Sequence, residues 1–331
     1  AINGFGRIGR LLARHLKARD GFDLVAINDL TSPDTLGYLF AHDSVHGRYK
    51  GSVEVDGSDL IIDGDRMRVL AEREPAKLPW KELGVDYVYE ATGFFRSREA
   101  ASAHLEAGAS KVVITAPGQN IDATFVMGVN NDLYDPATHQ IVSNASCTTN
   151  CLAPVIKVIH EKLGIRHGSM TTVHDITNTQ SILDEHHSDL RRARASSMNL
   201  IPTSTGSATA ITHIFPELKG KLDGHAIRVP LANASLTDCV FEVQRPTSVR
   251  EVNGLLQSAA AGELNGILGY EERPLVSTDY KTDPRSCVID ALSTLVVNQT
   301  QVKLYAWYDN EWGYANRTAE LMRLVSGLAP R

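Results

Sequence analysis

The opening of the chain, Gly4-Phe5-Gly6-Arg7-Ile8-Gly9, constrains the fold more than any other stretch. In a G-x-G-x-x-G run one glycine makes a tight turn, one admits a pyrophosphate, and one lets a helix lie close to a strand. Arg10 to Lys17 supply that helix, whose first N–H groups face an anion. Asp29 stands twenty positions after Gly9, just beyond a strand expected at Phe22 to Ile27. A carboxylate there accepts hydrogen bonds from a ribose 2′-hydroxyl and repels a 2′-phosphate, which favours NAD over NADP. Leu30 carries no phosphate-binding group, which agrees.

The first half alternates short apolar runs with helix-like stretches. Strands are expected at Asp86 to Tyr89, Lys111 to Thr115 and Thr124 to Val129, and a helix from N-cap Ser97 to C-cap Gly108. Such alternation implies parallel strands joined by helices. Lys50 to Val69 differs, with turn signals at Asp56-Gly57 and Asp63-Gly64 that predict an antiparallel hairpin insertion. Beyond Cys151 a helix runs over Val155 to Leu163, closed by Gly164. Strands follow at Gly168 to His174, His225 to Val229, Thr237 to Val243 and Val302 to Trp307, with helices at Val249 to Ala261 and Ala315 to Leu328. The expected class is α/β: a doubly wound parallel-sheet dinucleotide-binding domain plus an α+β catalytic domain with a mostly antiparallel sheet. The expected bounds are 1–146 for the NAD-binding domain, with a C-terminal helix over 315–331 packing back on it, and 147–314 for the catalytic domain.

A net charge of -6 over 331 residues argues against a nucleic-acid or anionic-membrane partner, since either wants a basic face. No apolar run approaches the ~18 residues that cross a bilayer, and no charged-then-apolar leader precedes the glycines, so a cytoplasmic location is expected. Ala1-Ile2 is barely half a strand, so a natural start a few residues earlier is expected. Cys147, Cys151, Cys239 and Cys287 form neither a disulfide framework nor a common zinc pattern, and no metal is expected.

Cys147 follows a strand end at Ile141 to Ser143 and begins a helix. Exposed N–H groups at such a start favour a thiolate, and Ser146, Thr148 and Thr149 offer hydroxyls to an oxyanion. The plainer reading is a small residue packed at a helix start; the dinucleotide motif tips the balance toward a nucleophile. Cys151 reads as a core or spacer residue, and Cys239 and Cys287 as inert. Spacing does not choose among twelve histidines, but His174 ends an apolar strand, where a base emerges into a cleft. Taken alone it is equally a satisfied core residue. His186 and His187 lie in a polar loop. The run Arg191-Arg192-Ala193-Arg194 is either a solvated face or an anion or subunit contact.

Taken together with the opening glycines, the run Ser143 to Pro154 (SNASCTTNCLAP), Thr171-Thr172-Val173-His174, Arg228-Val229-Pro230 and Trp307-Tyr308-Asp309-Asn310-Glu311 resemble the glyceraldehyde-3-phosphate dehydrogenase family over essentially the whole chain. The resemblance implies a homotetramer that oxidises glyceraldehyde 3-phosphate through a thioester on Cys147, with His174 as the base. By family position Thr177 and Arg228 would hold the substrate's phosphate, and Ser146, Thr148, Thr205 and Gly206 the attacking inorganic phosphate. Gly6, Arg7, Ile8, Asp29, Arg73, Thr92 and Thr115 match cofactor-contacting positions, and Asn310 would hold the nicotinamide carboxamide.

Three features depart from the usual family pattern. Asp175-Ile176 follows the expected base where a small residue is usual; its carboxylate would either raise the imidazole's pKa or point away along the strand. His186 stands where NAD-specific relatives often carry a proline. His174 to Gln180 and Leu231 to Leu236 resemble members associated with arsenic-resistance operons, in which arsenate replaces phosphate and 1-arseno-3-phosphoglycerate forms. Two alternatives stay open: an erythrose-4-phosphate dehydrogenase, whose loop resembles Asp184 to Ala195, and an NAD-binding thiol redox sensor without turnover.

Overall fold

The computed structural model describes residues 1–328, which divide into two compact units. The first holds Ala1–Phe125, Asn131–Ala145 and the segment from Ala315 onward; the second holds Val126–Asn130 and Ser146–Tyr314. The last three residues of the helix expected over 315–331 lie outside the described residues.

In chain order the first unit begins β1 (Ile2–Asn3), α1 (Arg7–Lys17), β2 (Ala26–Asn28), α2 (Pro33–Ala41) and a ribbon of β3 (His42–Asp43) and β4 (Gly47–Arg48). It continues with β5 (Val53–Asp56), β6 (Asp59–Ile62), β7 (Asp65–Leu70), β8 (Tyr87–Glu90), α3 (Arg98–Glu106), β9 (Lys111–Ile114), β10 (Ala123–Thr124) and β11 (Ile141–Ser143). Among the described residues these form one sheet in the order β10-β11-β9-β8-β1-β2-β7-β6-β5. Every pair from β10 to β7 is parallel, and β7, β6 and β5 are antiparallel. The central strands are buried on both faces, as parallel strands covered by helices must be. Ala26, Val88 and Trp80 pack in one core cluster, and Ala101, Val112 and Ile141 in another.

The parallel sheet is as expected, with differences of extent. The strand expected at Phe22 to Ile27 is observed at Ala26–Asn28, lying between β1 and β7 and parallel to both. Thr124 to Val129 pairs only at Ala123–Thr124; the chain then turns, with Val129 N–H on the Val126 carbonyl (3.1 Å) and Gly128 at φ +80°. The hairpin over Lys50 to Val69 is no separate insertion. β7 lies parallel to β2, so the hairpin extends the main sheet. Its Asp63-Gly64 turn has both residues at positive φ (51° and 83°), the primed type that suits twisted strands. Ser97 caps α3 as expected, its Oγ accepting from Ala100 N–H (3.1 Å).

The second unit contains α4 (Cys147–Leu163), β12 (Ile165–His174), β13 (Ile201–Ser204), α5 (Ser207–Ile214), β14 (Leu222–Arg228), β15 (Ser235–Val243) and α6 (Val249–Ala261). It goes on with β16 (Leu268–Glu271), β17 (Cys287–Asp290), β18 (Leu295–Val297) and β19 (Gln301–Tyr308), and α7 (Trp312–Val325) follows. The sheet order is β13-β14-β12-β15-β19-β17-β16, with β18 also beside β19. Only β12·β14 and β16·β17 are parallel, so the sheet is mostly antiparallel, as expected. β15 alternates fully and partly buried residues, the mark of one face on a core. That core includes α4, most of whose residues are buried. The tail helix begins three residues before the expected Ala315. The Asp309 carboxylate accepts the N–H groups of Glu311 and Trp312 (2.9 and 2.7 Å), which caps the earlier start. Among the described residues no helix is long and apolar enough to cross a membrane.

Candidate active site

The chain leaves β11 through Asn144 and Ala145, and Ala145 sits in the left-handed region at φ +56°, buried. A non-glycine residue held there marks a turn that the surroundings enforce. Ser146 follows as the N-cap of α4, its Oγ accepting from Thr149 N–H (3.1 Å), so Cys147 is the first helical residue. Of the four cysteines Cys147 alone is partly exposed. Cys151 is buried against Thr237 and the Ala306 carbonyl, and burial pushes the Cys239 and Cys287 thiols well up. The three are spectators.

His174 ends β12 with its Nε2 3.6 Å from Cys147 Sγ. Asp175 does not point away: Oδ1 lies 2.8 Å from His174 Nδ1, and the Asp175 side chain has no solvent exposure. Burial works against the charged imidazole. The bonds to Asp175 and Cys147 outweigh it, with Arg228 opposing, and the His174 pKa is pushed up to about 9. Burial also pushes the Asp175 carboxyl above the usual carboxylate range, while its bonds to His174 and Asn310 pull back. Arg228, paired in register with His174 on adjacent β14, brings Nη1 within 2.7 Å of His174 Nδ1. Its Nε is buried with no hydrogen-bond partner, and burial draws the guanidinium below its ordinary value.

A cluster of hydroxyls lies beside the cysteine. Ser146 Oγ is 3.1 Å from Ser207 Oγ, which also receives Thr205 Oγ1 at 3.1 Å, and Gly206 opens α5 as its N-cap. Ser207 was not among the sequence candidates; its only signal was a serine opening a helix after glycine. Thr148 turns inward instead, its Oγ1 2.9 Å from Tyr308 Oη, which also meets Thr172 Oγ1 at 2.8 Å. Thr177 Oγ1 contacts Thr179 Oγ1 and Gln180 Oε1 (both 2.9 Å). The basic run is stitched into its own loop: Arg192 Nε donates to Thr203 Oγ1 (2.9 Å) and Arg194 Nε to Asp184 Oδ2 (2.9 Å). His186 is exposed.

In the first unit the expected dinucleotide residues gather at the carboxyl ends of adjacent parallel strands. Gly4 to Gly9 follow β1, Asp29 follows β2, Thr92 follows β8 and Thr115 follows β9. That is the crevice where doubly wound sheets take ligands. The three glycines divide the work. A Cβ on Gly4, at φ +94°, would stand 2.6 Å from Thr92 N, and one on Gly9 only 2.1 Å from the Gly4 carbonyl oxygen. A Cβ on Gly6 would meet nothing within 4 Å. The open flank at Gly6 is where the fingerprint requires a pyrophosphate to approach, so the residues fit a dinucleotide. Asp29 Oδ2 accepts Phe5 N–H (2.8 Å) and Oδ1 accepts Thr31 N–H (3.1 Å), which ties the acid to the glycine turn. Arg7 pairs with Asp43 (2.6 Å), Ile8 is partly buried, and Arg73 is exposed beyond β7. Thr92 is set by buried Glu90, whose Oε1 accepts its N–H at 2.9 Å.

Two family profiles match. "Glyceraldehyde 3-phosphate dehydrogenase, NAD binding domain" covers residues 1–98, and "Glyceraldehyde 3-phosphate dehydrogenase, C-terminal domain" covers residues 146–310. Over 327 residues the chain is 56% identical to "Glyceraldehyde-3-phosphate dehydrogenase 3" of Nostoc sp., covering 98% of this chain and 97% of that one. The chain belongs to the glyceraldehyde-3-phosphate dehydrogenase family. It is also 54% identical over 325 residues to the "Glyceraldehyde-3-phosphate dehydrogenase" of Geobacillus stearothermophilus, with 98% and 97% covered. A plasmid-encoded family member of Cupriavidus necator is 56% identical over 321 residues, with 96% and 95% covered. As a member of this family the protein is an NAD-dependent oxidoreductase that acts on an aldehyde by a phosphorylating route.

Proposed function

We propose that the aldehyde is glyceraldehyde 3-phosphate and that it is oxidised at the expense of NAD through a thioester on Cys147, with inorganic phosphate or arsenate as acyl acceptor. The observation that carries this is the 3.6 Å approach of Cys147 Sγ to His174 Nε2 at the head of α4, with Arg228 alongside. Cys147 Sγ attacks the aldehyde carbon, and the oxygen of the resulting hemithioacetal takes the proton held at His174 Nε2. His174 then removes that hydroxyl proton as the C–H electron pair leaves as hydride. NAD supplies the hydride acceptor. Gly6, Arg7, Ile8, Asp29, Arg73, Thr92 and Thr115 are the residues assigned to hold it, with Asn310 assigned to the nicotinamide carboxamide. The thioester on Cys147 is then attacked by the acceptor anion, the C–S bond breaks, and the thiolate is restored with His174 opposite.

A guanidinium suits a phosphate dianion, so Arg228, with Thr177, is assigned the substrate's own phosphate. Hydroxyls and N–H groups at Ser146, Thr205 and Gly206, joined by Ser207, give a looser site that an anion enters and leaves; Thr148 is assigned to the same site, although its own hydroxyl is turned to Tyr308. Such a site reads tetrahedral shape and charge, which phosphate and arsenate share. The product is therefore 1,3-bisphosphoglycerate or 1-arseno-3-phosphoglycerate.

Cys147→Ser should lower NADH formation by at least about three orders of magnitude, followed by absorbance with each anion supplied in turn. Full activity in that variant ends the proposal, and turnover indifferent to added phosphate or arsenate ends the acyl-transfer step. Comparing kcat/KM for glyceraldehyde 3-phosphate and erythrose 4-phosphate fixes the sugar. A thiol sensor without turnover would need none of these anion contacts.

A further inference from the structure

Two residues claim the same nitrogen, Nδ1 of His174. Asp175 Oδ1, 2.8 Å away, and the Asp175 main-chain carbonyl, 2.9 Å away, can only accept a proton from it, whereas Arg228 Nη1, 2.7 Å away, can only donate one to it. The two residues demand opposite states of one atom. With the proton on Nδ1, a neutral ring keeps its Nε2 lone pair for the Cys147 thiol, 3.6 Å away. With Arg228 donating to Nδ1, the ring's one proton sits on Nε2, and no lone pair faces the sulfur.

The two claimants are held differently. Asp175 is anchored: its N–H donates to Ser235 Oγ (3.1 Å), the Ser235 hydroxyl donates back to Oδ1 (3.2 Å), and the residue is wholly buried. Arg228 is only partly buried, and its second Nη1 contact is the Asp175 carbonyl (3.1 Å). Arg228 is thus the partner an anion draws away. We propose that Asp175 is a positioning residue that keeps the proton on His174 Nδ1, and that an anion bound by Arg228 frees that nitrogen for it. Anion binding then completes the base. This rests on the roles given above to Cys147 and His174.

The charged and titratable groups facing His174 are Cys147 from α4, Asp175 beyond its own strand, Arg228 from β14 and Tyr308 from β19. Arg192 acts on Arg228, and Glu311 on Asp175. The pH midpoint of Cys147 alkylation by iodoacetamide reads how firmly the imidazolium is supported. Asp175→Asn keeps the shape and removes the acceptor charge. It should raise that midpoint by about one unit, a tenfold loss of thiolate below it. It should also lower kcat at least about tenfold while KM for glyceraldehyde 3-phosphate stays within about twofold. Added inorganic phosphate should lower the wild-type midpoint and leave those of Asp175→Asn and Arg228→Ala in place.

A variant with wild-type kcat and midpoint overturns the proposal, as does a loss of kcat with the midpoint unmoved, which would mark a merely structural residue. An active Cys147→Ser instead overturns the underlying reading. Should Asp175→Asn not fold, the wild-type enzyme decides through its low-field imidazole N–H proton resonance. That signal should strengthen on adding phosphate, and no response overturns the proposal.

Discussion

At the residue scale, His174 carries a pH consequence. An unconstrained imidazole titrates near about 6.5, whereas in the fold His174 titrates at about 9. The folded state binds this proton more tightly than the unfolded chain, so the contribution is complete below the lower value and lost as pH rises through the upper one. Urea unfolding from about pH 6 to about pH 10 should show wild-type stability falling across that window by on the order of 3 kcal/mol, with a flatter profile in His174→Gln. A wild-type profile no steeper than the variant's would contradict it. The histidine was legible in the sequence because it ends an apolar strand. The direction of Asp175 was not. Within a strand, neighbours face opposite sides, but β12 stops at His174, so alternation no longer governs the next side chain. Its carboxylate folds back to the ring, an outcome set by Ser235 sixty residues away.

Elements explain why some boundaries could be read and others not. Local chemistry fixed the ends of α3 and α4, where Ser97 and Ser146 supply caps and Gly164, at φ +68°, closes the second. Strand ends were less readable: the run from Phe22 is largely apolar, yet only Ala26–Asn28 joins the ladder between β1 and β7. The fit of α1 against β1 was readable because it needs a residue without a Cβ. Gly9→Ala should cost about 1–3 kcal/mol by forcing helix and strand apart, seen as a lower melting temperature. Gly6→Ala, with open space around it, should stay within about 0.5 kcal/mol of wild type and weaken NAD binding by calorimetry. Equal destabilisation by both would remove the distinction between a packing glycine and a ligand-facing one.

For the whole molecule, a ligand that binds only the folded chain adds stability by mass action. NAD at about a hundred times its dissociation constant should add about 2.7 kcal/mol. The increment should shrink in Gly6→Ala, and a melting temperature indifferent to NAD in the wild type would contradict the dinucleotide site. Most of that site was legible because it lies in loops whose residues follow strand ends at fixed spacing, as Asp29 follows β2. The anion cluster was less so, because Ser146 and Ser207 meet only through tertiary structure. Asp29 also bears on attempts to change cofactor preference. Phe5 and Thr31 both anchor their amides on its two oxygens, so the acid is part of the loop's scaffolding as well as the proposed selector. Exchanging it for a smaller residue to admit an extra phosphate would strip two backbone donors of their acceptor. Re-engineering toward the phosphorylated coenzyme therefore has to rebuild the turn along with the charge.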